Sequence, residues 1–272
     1  MKKKVVDKAN ASHYLILAAM FAMAIVGSYL FAFPTERTNS DAMESTGIAI
    51  EEADVNYFEN VTGFLARPAD GGEHPGVVVI HEWWGLNDGI KDAARKLASE
   101  GYVVLAVDLH NGEVATTPER ARELTEALDK QKAVENMRAA ARYLRDSEGA
   151  TRMASLGWCF GGGQSMQLAL SDEELDATVI YYGSLVTNET QLSSIEQPVL
   201  GIFGSEDRSI NVSVVNRFDA ALDSVGVENE IYIYDGVGHA FANPSGANYA
   251  PNETADAWGK TLSFLERHLK RE

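Results

Sequence analysis

Six short apolar runs recur along the chain, separated by stretches with a helical pattern. The apolar runs cover residues 74–82, 102–108, 153–158, 177–183, 198–204 and 230–236, and the helical stretches cover residues 88–100, 118–147, 165–170, 211–225 and 253–270. Because most of the runs are apolar on both faces, we expect a mostly parallel sheet that helices cover on both sides. The sequence therefore predicts an α/β fold with a doubly wound sheet, whose ligands bind at the carboxyl ends of the strands.

The charge balance and the cysteine count exclude several classes of function. Asp and Glu number 40 against 23 Lys and Arg, which gives a formal net charge of −17. Nucleic acid is excluded as a partner because phosphate attraction requires a basic face. The chain has one cysteine, so it forms neither an intramolecular disulfide nor a thiolate-rich zinc site. No motif for a metal or an organic cofactor is present, and we expect none.

The first fifty residues contain a long apolar segment. Residues 14–33 carry no charge, and lysines precede them. Twenty such residues match the length of a helix that crosses the hydrocarbon core, and the charge pattern keeps the N-terminus inside. We therefore predict a cytoplasmic tail at 1–13, a transmembrane signal-anchor at 14–33 with the lipid bilayer as partner, a linker at 34–52, and an extracytoplasmic domain at 53–272. The small residues at 26–28 leave open an alternative, secretion after signal cleavage.

The single cysteine lies in the stretch GWCFGGG, residues 157–163. Gly157, Cys159 and Gly161 match a Gly-x-nucleophile-x-Gly turn between a strand and a helix. Such a turn exposes the nucleophile, and its glycines let the strand and the helix approach each other. The N-terminus of the following helix favours a thiolate. A phosphate-binding turn is disfavoured because no lysine follows, whereas a buried inert thiol remains an alternative.

Two residues downstream complete the pattern of a catalytic triad. Hydrolases with this turn carry nucleophile, acid and histidine in that order. Asp207 follows the strand-like run 198–204, and His239 follows the run 230–236. Both are therefore expected at the same rim as Cys159, where His239 would act as base and Asp207 would orient it. His81 and His110 also end strands and compete for the role of base, but order and spacing favour His239.

Five stretches taken together resemble the dienelactone hydrolase family of α/β-hydrolases. They are HEWWGLN (81–87), VLAVDLH (104–110), GWCFGGG (157–163), GSEDRSI (204–210) and GVGHAFAN (236–243), and the resemblance covers about residues 53–272. It implies a Cys-Asp-His triad at Cys159, Asp207 and His239. It also implies that a glutamate, here Glu82, helps to generate the thiolate when substrate arrives. The family's oxyanion hole would be formed by the backbone N–H groups of Trp83 and Phe160.

The chain departs from this family at two positions. Members that cleave dienelactone hold the substrate carboxylate with two arginines, which fall on Gly112 and Asn243 here. Loss of both arginines, together with the acidic composition, favours a neutral ester or lactone as the small-molecule substrate. Aromatic side chains flank the chemical positions, either as a pocket lining or as core packing: Trp83, Trp84, Trp158, Phe160 and Phe241.

The leading functional hypothesis is a hydrolase of carboxylic esters or lactones that acts through Cys159 and a thioester intermediate. One alternative is a thiol redox or sensor protein, which would require an external thiol because the chain has no resolving cysteine. A further alternative is a non-catalytic binding module on a hydrolase fold. The presence of Glu82, Cys159, Asp207 and His239 together favours the enzyme.

Overall fold

The computed structural model describes residues 5–6, 48–171 and 174–270. Its strands are β1 (Val5–Val6), β2 (Ile50–Phe58), β3 (Val61–Pro68), β4 (Gly76–Ile80), β5 (Val103–Val107), β6 (Met153–Trp158), β7 (Ala177–Tyr181), β8 (Val199–Gly204) and β9 (Asn229–Tyr234). Its helices are α1 (Asp88–Ser99), α2 (Pro118–Glu126), α3 (Lys130–Asp146), α4 (Phe160–Ala169), α5 (Glu189–Leu192), α6 (Val212–Val225) and α7 (Pro251–Leu269).

The strands form one sheet in the order β1-β9-β8-β7-β6-β4-β5-β3-β2. Strands β4 to β9 run parallel to one another, and every residue of β4 to β8 is buried. Continuous burial explains why these strands are apolar without alternation, since helices cover both faces of the sheet. The predicted α/β fold with a mostly parallel sheet is confirmed, and all six apolar runs are strands.

An antiparallel hairpin at one edge of the sheet departs from the sequence prediction. Strands β2 and β3 pair antiparallel, and β3 pairs antiparallel with β5. Strand β2 begins at Ile50, inside the segment 34–52 that was predicted as a linker. Most of its residues are exposed or half-buried, so it lacks the apolar pattern by which buried strands are identified.

Helix starts follow capping rules. Asn87 caps α1, because its side chain accepts a hydrogen bond from the Ile90 N–H. Thr117 caps α2 just before Pro118. The predicted helical stretch 118–147 is divided into α2 and α3, and Asp129 caps the second helix.

The predicted membrane segment at 14–33 lies outside the described residues. Among the residues that the structure does describe, no helix combines the length and the apolarity needed to cross a bilayer.

Candidate active site

Cys159 occupies a strained turn between β6 and α4. Its φ of 55° and ψ of −115° are rare for a residue with a side chain. The Cys159 N–H donates to the Tyr181 carbonyl at 3.0 Å, which fixes the turn against the end of β7. The thiol is half-buried and lies at the N-terminus of α4, so the turn exposes it as the sequence predicts.

Two glycines make this turn sterically accessible. A Cβ on Gly157 would lie 2.1 Å from the Gly161 carbonyl oxygen. A Cβ on Gly161 would lie 2.3 Å from the carbonyl oxygen of Ile80 in β4. Both distances are far below van der Waals contact, so any larger residue would separate α4 from the sheet. The role predicted for these glycines is confirmed.

The structure brings Cys159, His239 and Asp207 into one hydrogen-bonded chain. His239 Nε2 lies 3.1 Å from Cys159 Sγ. His239 Nδ1 donates to Asp207 Oδ2 at 2.7 Å. The three residues follow β6, β8 and β9, whose carboxyl ends lie at one rim of the sheet. A thiol bonded to an imidazole that a carboxylate holds in place is an arrangement in which the thiol can act as a nucleophile and the imidazole as a base.

The surroundings of Asp207 and His239 favour their charged forms. Burial raises the pKa of Asp207, but hydrogen bonds from His239 and from the N–H groups of Ile210 and Ser209 outweigh it, and the net pKa is lowered. Burial lowers the pKa of His239, but Asp207 and Cys159 outweigh it and raise the pKa to about 10. A protonated His239 donates from both ring nitrogens and stabilises a thiolate beside it.

Glu82 lies buried beside this chain but makes no hydrogen bond to Cys159. Its carboxylate accepts a hydrogen bond from Asn243 Nδ2. Burial raises the pKa of Glu82 to about 7, against opposing effects of Asn243 and His239. Asn243 Oδ1 accepts the Ser245 N–H at 2.9 Å, which turns the amide nitrogen toward Glu82. Asn243, which lies where other members of the resembled family have an arginine, therefore provides an uncharged donor to Glu82.

The two backbone groups expected to form an oxyanion hole are available. Within the described residues, neither the Trp83 N–H nor the Phe160 N–H donates a hydrogen bond to another group. Phe160 is the first residue of α4, where the N–H groups lack partners within the helix. Free N–H donors beside a nucleophile are suited to bind a developing oxyanion.

The competing histidines make no hydrogen bond to Cys159. The fully buried His81 accepts the Leu109 N–H at Nε2, and its Nδ1 faces the Glu82 carbonyl. Burial, followed by the charge of His110, lowers the pKa of His81 to about 3, so its ring is neutral. His110 packs against His81 and Phe160 at centroid distances of 4.7 and 5.7 Å. The position bonded to Cys159 is therefore taken by His239 and by neither of these two histidines.

The remaining predicted positions divide between core and surface. Trp158 and Phe241 belong to the buried core, whereas Trp83 and Trp84 are half-buried and contact each other at 5.0 Å. Gly112 is exposed and has a φ of 86°. No cluster of His, Cys, Asp and Glu among the described residues is arranged to hold a metal ion.

Sequence reasoning missed two contacts of the site. It treated Asn243 as a lost arginine rather than as a partner of Glu82. It also missed Tyr182, which follows β7 and lies with its ring 5.3 Å from that of His239. The signal in the sequence was the pair Tyr181-Tyr182 at the carboxyl end of a strand, the edge at which ligands bind. Because successive side chains of a strand point to opposite faces, the two tyrosines have different surroundings.

Comparison with known proteins identifies the family. Residues 61–269 match the model of the dienelactone hydrolase family. A protein of Saccharolobus solfataricus, provisionally assigned as a carboxymethylenebutenolidase, is 32% identical over 77% of this chain and 95% of its own length. A Bradyrhizobium protein, provisionally assigned as a 2-oxo-3-(5-oxofuran-2-ylidene)propanoate lactonase, is 31% identical over 84% of this chain and 98% of its own length.

A solved structure agrees with this assignment. The crystal structure of a provisionally assigned dienelactone hydrolase from Klebsiella pneumoniae has a TM-score of 0.72 and 26% identity, and the match covers 80% of this chain and 99% of that one. The chain therefore belongs to the dienelactone hydrolase family and has its α/β-hydrolase fold. Membership of this family confirms the prediction of a hydrolase that acts on ester or lactone bonds.

Proposed function

We propose that the protein hydrolyses carboxylic esters or lactones through Cys159 and a thioester intermediate. The observation that carries this proposal is the hydrogen-bonded chain from Cys159 Sγ through His239 to Asp207, at 3.1 and 2.7 Å. The strained turn presents the thiol at the rim of the sheet, where parallel α/β folds bind their ligands. Asp207 holds the imidazole in the orientation that both steps of the reaction require.

In the first step, the Cys159 thiolate attacks the ester carbonyl and forms an S–C bond. The carbonyl electron pair moves to oxygen, and the N–H groups of Trp83 and Phe160 bind the resulting oxyanion. When the C=O bond re-forms, the C–O bond to the leaving group breaks. Protonated His239 gives its proton to the leaving oxygen, which departs as an alcohol or, for a lactone, remains attached as a hydroxyl group.

In the second step, neutral His239 takes a proton from water, and the hydroxide adds to the thioester carbon. The C–S bond breaks as the new oxyanion collapses, and Cys159 leaves as a thiolate beside the newly protonated His239. The carboxylic acid then loses its proton to solvent. Because a thiolate is a good leaving group, water can hydrolyse the thioester and complete the turnover.

Glu82 is the residue proposed to assist formation of the thiolate. Its pKa of about 7 leaves it divided between charged and neutral forms near neutral pH. In the resting arrangement its carboxylate is bonded to Asn243, and a shift toward Cys159 on substrate binding would allow it to accept the thiol proton. Glu82 would return this proton to Cys159 after the product leaves. A carboxyl group whose pKa lies near the working pH is suited to this transfer.

The substrate class that we propose is a neutral ester or lactone. The positions corresponding to the family's two arginines are Gly112, which is exposed, and Asn243, which is bonded to Glu82. Neither position offers a cation, and the net charge of −17 repels anions at long range. Neither position can therefore select for a carboxylate-bearing substrate by pairing an arginine with it.

Turnover of matched esters before and after alkylation tests this function. The purified full-length protein is assayed with uncharged and carboxylate-bearing p-nitrophenyl esters and with simple lactones, with and without iodoacetamide. We expect turnover that alkylation abolishes and that favours the uncharged members. Turnover that survives complete alkylation of Cys159 contradicts the mechanism. A rapidly oxidised thiol without any turnover favours the thiol sensor instead.

We also propose that residues 14–33 anchor the domain in a bilayer, with residues 1–13 in the cytoplasm and residues 53–272 outside. This proposal rests on the length, the apolarity and the preceding lysines of that segment. The alternative is an arrangement in which Val5–Val6 pair with β9 and the tail lies on the same side of the membrane as the domain. Protease protection of an N-terminal tag in sealed vesicles distinguishes the two arrangements, and release of the domain as a shortened soluble protein would indicate cleavage.

A further inference from the structure

Tyr182 carries a buried hydroxyl whose proton has no hydrogen-bond acceptor among the described residues. The residue is only 1% exposed, so bulk water cannot reach this group. The pKa of Tyr182 is raised well above its ordinary range, mainly by burial, and the backbone of Ala242 opposes this only weakly. A backbone N–H can only donate to the phenol oxygen, so the hydroxyl proton still lacks an acceptor. Such a group costs free energy that packing does not recover.

The position of Tyr182 places this donor inside the active site. Its ring lies edge-on to His239 at 5.3 Å and to Phe241 at 5.7 Å. The charges that influence its hydroxyl belong to Glu82, Tyr181 and Cys159, of which Glu82 has the largest effect. The backbone of Tyr182 has a φ of 36°, an unfavourable value for a residue with a large side chain. Unsatisfied donors and strained residues concentrate at functional sites.

Glu82 is the acceptor that matches this donor. A carboxylate has lone pairs for about four hydrogen bonds, yet Asn243 is the one donor to Glu82 among the described residues. Substrate cannot reach the Tyr182 hydroxyl, because the hydroxyl is buried, so its acceptor must be a group already in the site. The other titratable groups near this pair are already bonded. His239, whose ring contacts that of Tyr182, is bonded to Asp207 and Cys159, and Tyr181 is bonded to Thr261.

We propose that the Tyr182 hydroxyl is a positioning donor that binds the Glu82 carboxylate when Glu82 is ionised. Tyr182 would then be a second donor to the carboxylate beside Asn243, and its bond would stabilise the charged form. Tyr182 acts through Glu82 and does not touch the substrate. The proposal rests on the function proposed above and deepens it, because it assigns a residue that controls the ionisation of Glu82.

The neighbouring Tyr181 provides a matched control. It is equally buried, and its hydroxyl is bonded to Thr261 Oγ1 at 2.6 Å, a partner that does not titrate. Tyr182→Phe and Tyr181→Phe therefore remove the same atom from adjacent buried tyrosines. Their melting temperatures are compared with that of the wild type at pH 5.5, where Glu82 is mostly neutral, and at pH 9, where it is mostly ionised.

We expect the two variants to respond differently to pH. At pH 5.5, Tyr182→Phe should melt at or above the wild-type temperature, since an unpaired hydroxyl has been removed. The melting temperature of Tyr182→Phe minus that of wild type should fall by about 2–4 °C between pH 5.5 and 9, because only the wild type gains the bond to ionised Glu82. Tyr181→Phe should be destabilised by about 2–4 °C at both pH values, because it loses a bond that does not depend on ionisation.

A Glu82→Gln background identifies the acceptor. There the pH dependence of the Tyr182→Phe offset should disappear, because no carboxylate remains. In the active enzyme, Tyr182→Phe should move the acid limb of kcat/KM to higher pH by about one unit and leave the plateau within about threefold. An offset that is equal at both pH values overturns the proposal. So does a pH dependence that persists in the Glu82→Gln background, because Cys159 would then be the acceptor.

The melting experiment does not require turnover. If the enzyme proves inactive, or active without Cys159, the proposed function fails while the bond between Tyr182 and Glu82 is still measured. If Cys159-dependent turnover is found and the melting offsets do not change with pH, the proposed function stands and this inference fails.

Discussion

Two sides of the active site differ in how completely they are hydrogen-bonded. On the first side, the His239 ring has a partner at each nitrogen, Asp207 and Cys159. On the second side, among the described residues, Glu82 has one donor and Tyr182 has no acceptor. The hydrogen bonds of the first side are formed in the structure without substrate, and they favour the charged forms of Asp207 and His239. The second side holds a carboxyl whose pKa is raised to about 7 and a hydroxyl whose proton has no acceptor among the described residues. The difference indicates that one side is preorganised, while the other is less stable at rest and able to rearrange.

The largest effect on activity should come from breaking the preorganised side. Asp207→Asn keeps the shape of the residue but removes the charge that orients His239, so we expect kcat/KM to fall roughly 10³–10⁴-fold. Glu206→Gln, at an exposed position next to it, is the matched control and should leave kcat/KM within about twofold. A similar loss in both variants would show that the loop, and not the Asp207 contact, is responsible.

Breaking the second side should cost less activity and should raise stability. Glu82→Gln removes a buried carboxyl whose pKa is raised from 4.5 to about 7. The folded state is therefore destabilised as pH rises from 4.5 to 7, and the variant should gain roughly 1–3 kcal/mol in free energy of unfolding at pH 8. We expect kcat/KM to fall roughly 10²-fold. Urea unfolding and initial rates on one preparation test this, and a loss of stability would contradict it.

The pH dependence of stability should separate Glu82 from His81. The pKa of His81 is lowered from 6.5 to about 3, so its contribution to stability is present above pH 6.5 and is lost as pH falls toward 3. Glu82 has the opposite sign between pH 7 and 4.5, and the two partly cancel in the wild type. Between pH 6.5 and 5, the free energy of unfolding of Glu82→Gln should therefore fall more steeply than that of wild type, by up to about 1.4 kcal/mol per pH unit. Equal slopes of unfolding free energy against pH in the two proteins would refute this assignment.

The smallest effect should come from a surface charge network. Arg120 is bonded to Glu113 and Glu123 and is about half exposed. Exposed ion pairs contribute little because solvent screens them. We expect Arg120→Ala to shift the melting temperature by less than about 3 °C and to leave kcat/KM unchanged. A larger loss of activity would show that the loop from 110 to 115 supports the site.

The parts of this architecture that the sequence predicts are those with a local signature. The six buried strands are apolar throughout, and Gly157 and Gly161 mark the turn at Cys159. The edge strand β2 escaped prediction because its acidic, exposed residues carry no apolar pattern. The contact of Asn243 with Glu82 joins residues 161 positions apart in the chain, and no local pattern encodes such a pair. Similarly, Tyr182 resembles any other residue of an apolar strand, and only its environment shows that its hydroxyl lacks a partner among the described residues.

Direct trapping of the acyl-enzyme tests the central claim, that Cys159 is the nucleophile. The full-length protein is mixed with p-nitrophenyl acetate, quenched in acid within the first turnover, and examined by mass spectrometry of the intact chain and of its peptides. We predict a mass increase of one acetyl group on the peptide that contains Cys159, removed by hydroxylamine as a thioester and absent from Cys159→Ala. Acetylation at another residue, with turnover retained in Cys159→Ala, would contradict the account.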